Sequence, residues 1–337
     1  MRVIFFGTPE WAVPSLERLA LSAHRIVHVV SQPDRRSSRR GAPQPPPVAR
    51  RARELGLEVL QPATVRTAEF TDWFRAAGAE AGVVVAYGEI LPAGLLKAAP
   101  LGFVNVHFSL LPKYRGAAPV QWAIAFGETA TGVSTMAIAP RLDAGDVYVQ
   151  REVEIGAGET AAALGARLAP IGADLLLETL DMLERGEAVR HPQDESKASY
   201  APMLKKEDGA VDWSWEAEVI VRRLRAFDPW PGCASRVRGR SVRILQAVAD
   251  EESFDETPLA VGTVLGLSSR PAGPPASGVG PQTGARAGGM ECLRVLCGEG
   301  TVLLLGKLQF EGGRPITPLE ALNGRLLAAG DVMGEEA

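Results

Sequence analysis

The sequence predicts an α/β fold class, with a Rossmann-like, mostly parallel sheet domain followed by a small C-terminal OB-like β-barrel domain, and three observations lead there. The first half alternates short continuous Val/Ile/Phe runs with stretches of helical spacing, as expected of strands buried on both faces and joined by helical crossovers. Residues 190–210 are polar and contain Pro192 and Pro202, a change of texture that suits a linker. Beyond Phe227 the apolar runs are short and closely spaced, with glycine turns between them, the texture of a small all-β barrel. The expected organisation is therefore a first domain over 1–189, a linker over 190–207 and a second domain over 208–330.

Taken in order, Val3–Phe6 reads as a buried strand, stopped by Gly7-Thr8-Pro9. This run is too short for a signal peptide or for the roughly 20 apolar residues of a membrane span. Val13–Leu21 has helical spacing through Val13, Leu16, Leu19 and Ala20. Ile26–Val30 is strand-like, Val48–Leu55 helical, Val59–Leu60 a short strand and Ala68–Ala77 helical. Val83–Ala86 and Phe103–Phe108 are the next buried strands, and Thr160–Leu183 is a long helix-like stretch. The second domain offers Ser235–Val237, Val242–Ala247, Val261–Leu267, Leu293–Leu296 and Val302–Leu308 as strands, with Pro318–Ala328 as a closing helix. Residues 268–289 are rich in Gly, Pro, Ala and Ser, the composition of a flexible insertion.

A net charge of -4 over 337 residues argues against a protein that coats nucleic acid with its whole surface, although a local basic patch remains compatible with it. Cys233, Cys292 and Cys297 are too few for a disulfide framework, and read as thiols of a reducing cytoplasm. Cys292 and Cys297 could supply half a metal site, but no second Cys or His pair lies nearby, so no metal is expected. After the first strand, Gly7-Thr8-Pro9-Glu10-Trp11-Ala12 has one glycine, which excludes the glycine-lined turn of a dinucleotide site. A phosphate-binding loop of the Walker type is also missing from the sequence.

The strongest chemical signal is Asn105-Val106-His107. Two residues apart on a strand, Asn105 and His107 share a face, at the carboxyl end where open α/β sheets bind ligands. Periodicity alone leaves it equally open that both side chains merely satisfy loop backbone groups. His24, His28 and His191 read as ordinary structural residues. Leu142-Asp143-Ala144-Gly145-Asp146 follows the apolar run Val133–Ala139. By itself it is a turn signal. With the Asn-x-His pair it completes an amide, imidazole and carboxylate set usable for acyl transfer to an amine.

These segments make the chain similar to the folate-dependent formyltransferase family. The resemblance includes Phe6-Gly7-Thr8-Pro9-Glu10, Gln32-Pro33-Asp34-Arg35 and Val84-Val85-Ala86-Tyr87-Gly88. It continues through Asn105-Val106-His107, Ser109-Leu110-Leu111-Pro112, Tyr114-Arg115-Gly116-Ala117-Ala118-Pro119 and Leu142-Asp143-Ala144-Gly145-Asp146, then Ala226-Phe227-Asp228-Pro229-Trp230-Pro231-Gly232. In this order the segments cover nearly the whole chain. The resemblance implies a 10-formyltetrahydrofolate donor, with Asn105, His107 and Asp143 catalytic and Ser109, Leu110, Leu111, Pro112, Tyr87 and Gly88 lining the folate site. Phe108 departs from the small residue common in relatives, and its side chain is expected to face away from Asn105 and His107.

Family resemblance does not fix the acceptor. Initiator methionyl-tRNA is favoured by Asp34 to Arg40, which has four arginines against one aspartate, and by residues 213–249, with seven arginines against Glu216, Glu218 and Asp228. Such clusters can neutralise phosphates, and small β-barrels are common nucleic-acid modules. By position, Arg39, with Arg35 and Arg40, is expected to contact the tRNA. The rivals are a formyltransferase for an amino-sugar nucleotide, a non-catalytic folate or RNA-binding module, and a formyl-folate hydrolase. The expected enzyme is a cytoplasmic monomer without membrane association.

Overall fold

A computed structural model describes residues 1–36, 41–254, 259–268 and 291–334. The chain divides into two compact units, one of Met1–Pro119, Ala130–Glu154 and Gly165–Pro202, the other of Val120–Thr129, Ile155–Leu164 and the chain from Met203 onward. Among the described residues, no helix is long and apolar enough to cross a membrane.

In the first unit, seven strands form one sheet: β1 Arg2–Gly7, β2 Arg25–Val30, β3 Val59–Leu60, β4 Ala81–Val85, β5 Phe103–His107, β6 Ala130–Ala137 and β7 Val147–Glu154. Their spatial order is β7-β6-β5-β4-β1-β2-β3. Strands β3, β2, β1, β4 and β5 are parallel, and β6 and β7 continue the sheet antiparallel. This is the Rossmann-like, mostly parallel sheet the sequence predicts. Val3 to Phe6 are all fully buried, because helices cover both faces of a parallel sheet and leave its strands no polar side.

The helices follow local rules. Those named α1 Val13–Ala20, α2 Pro47–Glu54, α3 Ala68–Ala77, α4 Ala93–Leu96, α5 Pro119–Ala125 and α6 Ala161–Arg185 precede α7 Ala217–Phe227 and α8 Pro318–Asn323. For α3, the Thr67 hydroxyl accepts from the Phe70 N–H at 3.1 Å and Gly78 ends the helix at φ +64°, the usual chemistry of a capped start and a left-handed stop. Phe6, Phe74, Tyr87, Leu95 and Phe103 fill one core of this unit.

The second unit holds a five-stranded antiparallel sheet, β8 Cys233–Val237, β9 Arg240–Ala249, β10 Val264–Ser268, β11 Cys292–Leu296 and β12 Val302–Phe310, in the order β8-β9-β12-β11-β10. Short antiparallel strands are as the sequence predicts here, but helices α7 and α8 lie in the same unit, so it is not all-β. Helix α7 escaped the sequence reading, and it changes what the arginines there do. Arg225 is only 8% exposed, and the Arg223 guanidinium stacks 4.3 Å from the Trp215 ring centre and 5.0 Å from that of Phe227. Burial lowers the pKa of both. The cluster expected to be a phosphate-binding surface thus has two members packed as core, while Arg236, Arg238, Arg240 and Arg243 are exposed. All three cysteines are buried and free.

The stretch expected as a linker, 190–207, is in its first part bound to the first unit. His191 bridges Val147, and Tyr200 and Ala201 pair in parallel with Arg115 and Gly116. Polar composition looked like solvent exposure; here it supplies hydrogen bonds to a folded neighbour. Of the insertion expected at 268–289, only Ser268 lies within the described residues.

Candidate active site

Strand β5 lies between β4 and β6, with Asn105 opposite Met136 and His107 opposite Ser134. Its alternation separates two faces. Val106 and Phe108 point at Gly172 of α6, where an added methyl would come within 2.8 and 3.5 Å of their side chains, and the Phe108 ring meets Trp11 at 6.1 Å. Phe108 therefore faces away from Asn105 and His107. The Asn105 amide is partly exposed and has no hydrogen-bond partner among the described residues. An unpartnered amide at the end of a buried strand is available to a ligand.

His107 is 5% exposed. Its Nε2 lies 2.9 Å from the Tyr114 carbonyl oxygen, which can only accept, so Nε2 carries a proton and donates it there. That leaves Nδ1 facing the Asp143 carboxylate, 3.8 Å from Oδ2. The distance is a charge contact and exceeds a hydrogen bond. Asp143 Oδ2 also accepts from the Gly116 N–H at 2.8 Å. Asp143 and Tyr114 adopt φ of +46° and +61°, left-handed conformations that cost energy in residues with a Cβ and that cluster at functional sites. A residue on a strand end, a residue in a turn 36 positions later and the loop between them thus meet around one imidazole.

Ser109-Leu110-Leu111-Pro112 leaves β5 as a tight loop. The Ser109 hydroxyl donates to the Lys113 carbonyl at 2.6 Å. Ser134, fully buried on β6, holds the same loop from beneath. Its hydroxyl donates to the Ser109 carbonyl at 2.6 Å and accepts from the Leu111 N–H at 3.1 Å and Gln150 Nε2 at 2.8 Å. The hydroxyl uses its full capacity of one donor and two acceptors. Leu111 and Pro112 line one side of a 410 Å³ cavity whose other walls include Tyr148, Gln150 and Gln193.

Tyr87 and Gly88 follow β4, and the Thr8 hydroxyl after β1 donates to the Tyr87 carbonyl at 2.8 Å. That bond spans the point where the strand order reverses, the crevice in which such sheets place ligands. The Tyr87 ring itself is core, 1% exposed and edge-on to Phe6 at 5.5 Å, with its phenol pushed to high pKa by burial. Gly88, at φ +90°, is exposed.

Arg35 is exposed at the base of a short ladder in which Arg35 and Arg36 pair with Gln44 and Pro43. Arg39 and Arg40 lie outside the described residues. Among the described residues, the group of three side chains placed to share a cation is His24, Asp181 and Glu184, and the amine of Met1 already binds Glu184 there. Cys292 and Cys297 do not belong to it. Sequence reasoning missed Ser134, Gln150 and Gln193. Ser134 sits in an apolar run, and its one signal was a buried hydroxyl opposite His107.

Residues 1–180 match the family described as "Formyl transferase", and residues 203–326 match "Formyl transferase, C-terminal domain". The chain is 43% identical over 335 residues to the methionyl-tRNA formyltransferase of Solibacter usitatus, covering 99% of each chain. It is 40% identical over 335 residues to that of Geobacter sulfurreducens, covering 99% of this chain and 97% of the relative. Among solved structures, HypX from Aquifex aeolicus in complex with tetrahydrofolic acid gives a TM-score of 0.57 at 18% identity, over 98% of this chain and 48% of that one. The N-formyltransferase from Helicobacter canadensis, solved with folinic acid and dTDP-3-aminofucose, gives 0.59 at 15% identity over 90% and 98%. At such identities the likeness concerns the fold.

Proposed function

Because the chain belongs to the formyl transferase family, we propose that it moves the formyl group of 10-formyltetrahydrofolate onto the free amino group of initiator methionyl-tRNA. The supporting observation is the convergence of His107 and Asp143, 3.8 Å apart, with an Asn105 amide that has no partner among the described residues.

The acceptor amine attacks the formyl carbon, the carbonyl oxygen becomes an oxyanion, and the bond to the folate nitrogen breaks as that nitrogen takes a proton. An α-amino group titrates at about 7.7–8.0, so a useful fraction is already neutral near pH 7. Asn105 is free to donate to the oxyanion, a contact whose loss typically costs about 2.7–4 kcal/mol of barrier. With Nε2 committed to Tyr114, His107 can exchange a proton only through Nδ1, where Asp143 faces it. Ser109 to Pro112 and Gly88 line the folate side, and Tyr87 supports it from the core. Arg35, Arg39 and Arg40 contact tRNA phosphates, and the enzyme works as a cytoplasmic monomer.

The test is incubation with 10-formyltetrahydrofolate and charged initiator tRNA, followed by analysis for formyl-methionine. His107→Ala should remove the product while leaving the fold intact. Turnover of an amino-sugar nucleotide in its place, or formate release without any acceptor, would overturn the reading.

A further inference from the structure

The two backbone segments that hold His107 are both gripped by the stretch from Gln193 to Ser199. Gln193 Nε2 donates to the Asp143 carbonyl at 2.8 Å and to the Gly145 carbonyl at 2.7 Å. Its Oε1 accepts from Arg115 Nε at 3.0 Å and Nη2 at 2.8 Å. The Arg115 side chain is fully buried, and it forms a bidentate pair with Glu195 at 3.0 and 3.1 Å. On the other side, the Ser199 hydroxyl accepts from the Tyr114 N–H at 2.9 Å and the Ser199 carbonyl from the Arg115 N–H at 2.8 Å.

We infer that Gln193 is a positioning residue for formyl transfer, part of a strap that fixes the Asp143 turn and the Tyr114 carbonyl on opposite sides of the His107 ring. The inference rests on the catalytic roles proposed above for His107 and Asp143. The chemistry demands an amide at this place. One end must donate to two carbonyls and the other must accept from a guanidinium, and among common side chains of this length only glutamine does both. The left-handed backbone at Asp143 and Tyr114 is not self-supporting, and such conformations persist where neighbours over-determine them. A buried arginine with all three guanidinium nitrogens engaged gives the amide a rigid seat.

Gln193→Glu separates positioning from simple stability. A glutamate can still pair with Arg115 through one oxygen, which keeps the strap attached. Its other oxygen faces the carbonyls of Asp143 and Gly145 and repels them, so the turn moves. Displacements of about 1 Å in such sites cost on the order of 100-fold in rate. The expected result for Gln193→Glu is therefore a fall in kcat of about 100-fold, with KM for folate and tRNA nearly unchanged and a thermal midpoint lowered far less than kcat, since the pairing with Arg115 is kept. The His107 imidazole resonances, read by long-range ¹H–¹⁵N NMR without any substrate, should shift. Retained kcat with unshifted His107 resonances would overturn the assignment, as would a matching collapse of kcat and thermal midpoint in both Gln193→Glu and Gln193→Ala. Failure of the parent protein to formylate methionyl-tRNA, with His107 resonances that still move in Gln193→Glu, would count against the acceptor and leave the strap standing.

Discussion

Ser134→Ala removes one oxygen atom and isolates two buried backbone groups. In the parent chain that hydroxyl satisfies the Ser109 carbonyl and the Leu111 N–H, and neither residue has appreciable exposure, at 0% and 5%. Gln150, the third partner, is exposed and can turn to water, so its loss adds little. An unsatisfied buried polar group costs about 1–3 kcal/mol. Two of them give a destabilisation of about 2–6 kcal/mol. For a unit of this size each kcal/mol lowers the thermal midpoint by about 2–4 °C, so a fall of roughly 5–20 °C is expected for the first unit. Since the freed segment is Ser109 to Leu111, folate affinity should fall as well, even at temperatures where the unit is folded. Calorimetry and urea unfolding measure the first effect, and folate titration below the transition measures the second. A midpoint within a degree of the parent value, with unaltered folate affinity, would mean that the Ser134 hydroxyl does not hold the loop.

Three other outcomes follow from the same geometry. Asp143→Asn keeps an acceptor for the Gly116 N–H but removes the charge facing His107 Nδ1; kcat should drop by about 100-fold or more, as for loss of acid–base support, and steady-state kinetics showing less than a threefold change would refute the role. Glu195 is held below the usual carboxylate range by hydrogen bonds from Arg115 and then Arg141. Its folded pKa lies below the unfolded one, so its contribution is complete above the ordinary value of 4.5 and is lost as pH falls through the folded value. Glu195→Gln should therefore flatten the acid side of a stability–pH curve from urea unfolding, and an unchanged acid limb would contradict the pairing. Burial pushes the Cys233 and Cys297 thiols up to about 12, so a chromogenic disulfide at pH 8 should react with them only on unfolding; rapid labelling of the native protein would show that burial wrong.

The sequence by itself determined the strands of the sheet and singled out the candidate residues of the proposed site. Strands such as Val3–Phe6 and Phe103–His107 are legible because a strand buried on both faces must be apolar throughout. Asn105 and His107 are legible because polar residues interrupting such a run at a spacing of two stand out on one face. Tertiary structure alone decided the rest. Helix α7 brings Arg223 against Trp215 and Phe227, and a charge count does not distinguish a stacked guanidinium from a solvated one. Ser134 and Gln193 act through backbone atoms of Ser109, Leu111, Asp143 and Gly145. Every residue has those atoms, so no side-chain pattern in the chain marks such bonds. Which imidazole nitrogen is free was likewise fixed only when folding set the Tyr114 carbonyl against Nε2.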